Sequence, residues 1–135
     1  MENPVAKWLN PQETEILEQL AMQAAALSTE ELKKQSAGHV EAANKAKAGN
    51  AAVNVALAYA IHNVICKVFN QWSDIDAAAQ YWLKGAVAYF IFDNDEVNDF
   101  GSPIGLEDDV EVLNACLDFA GLYELSLNPE DYDYA

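Results

Sequence analysis

The residues best suited to chemistry in this chain are carboxylates. The segment Asp93-Asn94-Asp95-Glu96-Val97-Asn98-Asp99-Phe100-Gly101-Ser102-Pro103-Ile104-Gly105-Leu106-Glu107-Asp108-Asp109 carries seven acids in 17 residues. Carboxylates at this density repel one another, so some must gain hydrogen bonds, a cation or raised pKa values. Three readings follow. The acids can be structural, with Asp95 and Asp99 accepting backbone N–H groups in a tight loop and Asp108 and Asp109 standing at a helix start. They can converge on Ca²⁺ or Mg²⁺, both of which take oxygen ligands. They can also form a docking surface for a basic partner. An EF-hand is excluded by spacing. That loop needs glycine at its sixth position and glutamate at its twelfth, and counting from Asp93 the sequence offers Asn98 and Ile104.

Other chemistry is thin. His39 and His62 lie 23 residues apart, on separate predicted helices. His62, between Ile61 and Val64-Ile65, reads as a core or boundary histidine. Cys66 and Cys116 each sit in an apolar helical stretch, where cysteine packs as a small hydrophobe. They lack the electropositive setting of a reactive thiolate, and two scattered cysteines make neither a disulfide framework nor a zinc site. The sequence has no glycine-rich phosphate loop, no His-Glu-x-x-His and no Gly-x-Ser-x-Gly. No catalytic residue is assigned.

Charge points the same way as the loop. Residues 1–84 hold nine acids and seven bases, a net of −2. Residues 85–135 hold 13 acids and no Lys, Arg or His, a net of −13, so one end carries nearly all of the −15. Such a field repels nucleic-acid phosphates and anionic lipid heads and attracts cations or basic protein surfaces. Solubility, or adaptation to salt, is the competing explanation.

The elements that must position these acids read as helices. Asn10-Pro11-Gln12-Glu13 is a helix start, with Asn10 as cap, Pro11 at the first position and Glu13 completing a capping box. Ser28-Thr29-Glu30-Glu31 repeats the signal, with Ser28 as cap and Glu31 reaching back. This second helix runs to about Lys47, carries most of the bases and is broken by Gly49-Asn50. The strongest apolar stripe is Val53, Leu57, Ile61, Val64, Val68 and Trp72. Asn54, His62 and Asn63 interrupt that stretch, which makes it a buried helix rather than a membrane span. Ser73 with Asp76 caps a fourth helix to about Phe92, with Ile75, Ala79, Trp82, Ala86, Tyr89 and Phe90 on one face. After the loop, a last helix begins near Glu107, with Glu107, Asp108 and Asp109 offsetting its dipole and Val110, Leu113, Leu117 and Ala120 buried.

No alternating β-branched run suggests a strand. The fold class is therefore all-α, a bundle of about five helices with an ordered acidic loop before the last. A chain of 135 residues fits one domain, taken as 1–127, with 128–135 as an acidic tail expected to be mobile. Met1-Glu2-Asn3-Pro4 does not read as a signal peptide, and the default compartment is the cytoplasm.

Here the loop meets a known pattern. A helix ending in aromatics is followed by Asp95-x-x-x-Asp99-Phe100, four residues, Gly105, two residues and Asp108-Asp109. This resembles the YkvA-like family, small bacterial domains of unknown function, over about residues 78–120. The family pattern is approximately Pro-x-Asp-x-x-Pro-Asp-Phe, then Gly-x-x-Asp-Asp, at the same spacing. Asp93 and Asn98 stand where the family has prolines, which implies a loop less rigid, or bent differently. The resemblance implies a helical hairpin around an acid-rich turn, with Phe100 and Gly105 as structural positions. It implies no catalytic assignment.

Two function classes remain. The first is a non-enzymatic binding protein whose acidic C-terminal third meets a basic protein surface, as immunity proteins, antitoxins and inhibitors do. The second is a divalent-cation site, structural or hydrolytic, built from Asp95, Asp99, Asp108 and Asp109. The recurring motif makes those four the residues that shape the hairpin. Asp93, Glu96, Glu107 and Glu111, with Asp131 and Tyr132 of the tail, are then the acids and aromatic that meet a partner. Trp8 is a further exposed aromatic. No cofactor is assigned beyond Ca²⁺ or Mg²⁺ in the second class, neither nucleic acid nor membrane is a direct partner, and self-association is left open.

Overall fold

The computed structural model describes residues 3–49, 55–92, 105–128 and 131. Among these residues there are five α-helices and no strands. Residues 93–104, among them Asp93, Asp95, Glu96, Asp99 and Phe100, lie outside the described residues, as does Tyr132.

Helix α1 spans Pro11–Ala24 and opens with the reciprocal box expected of it. The Glu13 N–H donates to Asn10 Oδ1 at 2.7 Å and the Asn10 N–H donates to Glu13 Oε1 at 3.0 Å. Each bond satisfies a donor that the first helical turn leaves without a partner. Helix α2 spans Thr29–Gly49, and Ser28 Oγ accepts the Glu31 N–H at 3.1 Å. The Glu31 carboxylate runs forward rather than back: its Oε2 accepts from Gln35 Nε2 at 2.7 Å, one turn along the helix.

Helix α3 spans Val55–Asn70 and buries Leu57, Ile61, Val64 and Val68 as its periodicity requires. Trp72 is only half-buried. It sits in a 3₁₀ turn, Trp72–Asp74, with its ring edge-on to Phe69 at 5.1 Å. That turn corrects the expected start of the next helix. Helix α4 spans Ala77–Phe92, and its first turn is capped by Asp76, whose Oδ2 accepts the Ala78 N–H at 3.2 Å. Ser73 is spent inside the 3₁₀ turn.

Helix α4 is the centre of the bundle. It packs on α1, on α2, and on α5, which spans Gly105–Ala120. The residues expected on one face are buried, but so are Leu83, Val87 and Ala88 on the others. A helix apolar around most of its circumference is one covered around most of it, and the face of Gln80, Tyr81, Lys84 and Ile91 is half-buried. At its crossing with α1, Gly85 has no room for a side chain: a Cβ there would stand 2.7 Å from the Ala21 Cβ and 2.9 Å from Leu17 Cδ1. Lys84, the last base in the chain, is tied to the connection between α1 and α2, its Nζ donating to the Leu27 carbonyl at 2.6 Å.

Helix α5 starts two residues earlier than expected, at Gly105. Val110, Leu113 and Leu117 are buried against α4 and Ala120 is half-buried. Gly121, at φ +78°, ends it. The Leu122 N–H reaches the Leu117 carbonyl at 2.9 Å and the Gly121 N–H reaches Asp118 O at 3.1 Å, the paired bonds of a Schellman motif. The following segment folds back over α5. Asn114 holds it by both backbone polar groups of one residue, donating to Leu127 O at 2.8 Å and accepting from the Leu127 N–H at 2.9 Å. No described helix is long and apolar enough to cross a membrane.

A candidate acidic site between α1 and α5

The N-terminal turns of α1 and α5 come together, and three carboxylates meet there. One oxygen from each of Glu13, Asp108 and Glu111 lies within 4.8 Å of the others. Two of them come from α5, three residues apart and hence on one face of the helix. The third is the capping glutamate of α1. Asp108 and Glu111 are exposed, whereas Glu13 is buried, at 2% exposure.

Glu13 is divided between two tasks. Its Oε1 accepts the Asn10 N–H, while its Oε2 is buried and has no hydrogen-bond donor. Ionised carboxylates only accept, so Glu13 and Glu111 face each other acceptor to acceptor when both are charged, whereas a proton on Glu13 can be donated to Glu111. Burial pushes the Glu13 pKa up from the ordinary 4.5 to about 7, with the Asn10 N–H opposing the rise and a hydrogen bond to Glu111 and the negative charges of Glu111 and Asp108 adding to it. Asp108 is also raised, first by burial and then by the charge of Glu111. A site of this kind can hold a shared proton or a cation.

The structure separates acids that the sequence grouped. Asp108 and Asp109 project about 100° apart on the helix. Asp109 turns inward and is fully buried, whereas Asp108 turns to Glu13. The described part of the expected four-aspartate cluster therefore does not gather Asp108 with Asp109. It gathers Asp108 with Glu13 and Glu111, although Glu111 was read as a partner contact and Glu13 as a cap alone. Gly105 is the first residue of α5 and Glu107 lies in its first turn, but their side-chain surroundings lie outside the described residues. Asp131 is exposed, and its N–H donates to the Asn128 carbonyl at 3.0 Å.

The sequence held one usable signal for Glu13. A capping-box glutamate is ordinarily at the surface, but Glu13 stands four residues before Leu17 and eight before Ala21, on the buried stripe of α1. What sequence could not supply is that α5 would cross at that point.

Trp8 is 38% exposed, with the Lys7 ammonium 4.5 Å above its ring. Tyr123, just beyond α5, is more open, at 66%. His62 is half-buried as a boundary histidine should be, and its Nδ1 lies 2.8 Å from the buried Ser36 Oγ. Its Nε2 lies 3.5 Å from Cys66 Sγ. Burial first, and the charge of Lys33 second, hold His62 below its ordinary pKa. Cys116 is buried and burial pushes its thiol up, which keeps it protonated.

The chain is matched by no family model, no curated protein and no solved structure.

Proposed function

We propose that this chain is a non-enzymatic acidic binding protein of the cytoplasm, whose C-terminal third engages a basic protein surface. The observation that supports it is the one-signed charge: 13 acids and no base after Lys84. Most acids in the described part of that region face outward, Asp109 being the buried exception. Asp108, Glu111, Glu124 and Asp131 are exposed and Asp118 is half-buried. The five lysines of α2 and α3 lie outside this third of the chain, which carries no base of its own. Tyr123, exposed beside Glu124, adds an aromatic anchor of the kind that dominates interface energetics. Opposed charge speeds encounter and selects partners, and an exposed aromatic slows release. The helical hairpin of residues 78–120 is proposed as YkvA-like on its motif, with α4 and α5 packed together on either side of the loop that carries most of it.

Co-purification from the source cells tests this reading. A partner with a basic surface should be retained at low salt and released at high salt. A variant carrying Asp118→Asn, Glu124→Gln and Asp131→Asn should lose it. Retention that is indifferent to both salt and these substitutions would sink the proposal, as would the absence of any protein partner.

A further inference from the structure

We propose that Glu13, Asp108 and Glu111 form a binding site for one hard divalent cation, joining the start of α1 to the start of α5. The site overlaps the partner surface proposed above at Asp108 and Glu111 but does not depend on it.

Two observations carry the assignment. The first is convergence. Three carboxylate oxygens lie within 4.8 Å of one another. Oxygens bound to one Ca²⁺, at 2.3–2.6 Å each, are separated by at most roughly 5 Å, and those on one Mg²⁺ by about 4 Å. The three groups can therefore ligate a single ion with little movement. The second is the buried Oε2 of Glu13, which has no hydrogen-bond donor on a residue only 2% exposed. A buried acceptor without a donor is costly, and here it stands among acceptors alone. A proton shared with Glu111 relieves it by neutralising one carboxylate; a cation relieves it with all three ionised.

The chemistry of the donors selects the ion. All are carboxylate oxygens, which suit Ca²⁺, Mg²⁺ and Mn²⁺ rather than softer metals. Glu13 is fixed from behind by the Asn10 N–H on its other oxygen, an outer contact that orients a ligand. Asp108 and Glu111 are open to solvent, so water completes the coordination. The ion would tie together two helix starts that otherwise meet through like charges, which assigns it a structural role.

The test is thermal unfolding of chelator-treated protein at pH 7.5, titrated with Ca²⁺, Mg²⁺ or Mn²⁺ at constant ionic strength. A chain of net charge −15 responds to any divalent ion by screening, so variants decide. The wild type should show a saturating rise in Tm with at least one of the three ions. Glu111→Gln and Asp108→Asn should each weaken the apparent affinity by roughly tenfold or more, while Glu124→Gln, at an exposed acid outside the site, should not. No saturating rise in the wild type overturns the proposal. So does a rise of equal size and midpoint in Glu111→Gln, which would be screening alone.

Discussion

Glu13 and Glu111 present carboxylate oxygens to each other within 4.8 Å across the junction of α1 and α5. The pair makes stability depend on pH in a defined direction. With its pKa raised from 4.5 to about 7 in the fold, Glu13 binds its proton more tightly folded than unfolded. Its contribution is fully present below about pH 4.5 and is lost as pH rises through about 7. Glu13→Gln keeps the hydrogen-bonding shape of the capping box and removes the charge. In chelator-treated protein this variant should be more stable than wild type at pH 8, and the advantage should vanish by pH 5. Denaturant midpoints at the two pH values measure it. An advantage that is the same at both would contradict the assignment.

The histidines act in the opposite sense. His39 packs edge-on against Phe90 at 4.7 Å, and burial holds its pKa low. His62 is lowered too, by burial and by Lys33. A group depressed in the folded state contributes stability above its unfolded value, near 6.5, and loses it as pH falls through the folded value. His62→Gln should flatten the acid side of the stability profile below pH 6.5. An unchanged acid limb in that variant would show that His62 is not held neutral.

At the α1–α4 crossing, Gly85→Ala should cost about 1–3 kcal/mol, the usual penalty for forcing a methyl group into a filled core. The added Cβ meets Ala21 backbone at 3.0 Å as well as its side chain, so no rotamer change relieves it. Gly38, which faces open space, is the control. Gly38→Ala should be neutral or stabilising, because alanine favours a helix interior.

Asn114→Ala removes both bonds to Leu127. The helix beneath is held by its own core, so far-ultraviolet circular dichroism should barely change. The segment from Tyr123 to Asn128 should lose protection from amide exchange. Equal protection in variant and wild type would mean that packing of Leu125 and Leu127 holds the segment without the clamp.

The all-helical fold is legible because apolar periodicity and caps act locally. Asn10, Pro11 and Glu13 specify the start of α1 within four residues, and Leu57, Ile61, Val64 and Val68 specify the buried face of α3. The start of α4 was displaced because Ser73 and Asp76 are both good caps, and a 3₁₀ turn consumed the first. The burial of α4 around most of its circumference was not legible as architecture, since its stripe was compatible with one covered face. The acidic site was half legible. Asp108 and Glu111 are local to one helix, but Glu13 reaches them only through the packing of α1 and α5 against α4, which no local pattern encodes. Asn114 was missed for the same reason: its partner is a backbone group from beyond the helix end.

The central structural claim is that α1 and α5 hold three carboxylates face to face, with Glu13 buried among them. Carbon-13 NMR of the Glu13 side-chain carboxyl, followed through a pH titration of chelator-treated protein, tests it most directly. The account predicts a midpoint near 7 that falls back toward the ordinary range in Glu111→Gln. A Glu13 carboxyl that titrates near 4.5 in the wild type would contradict it.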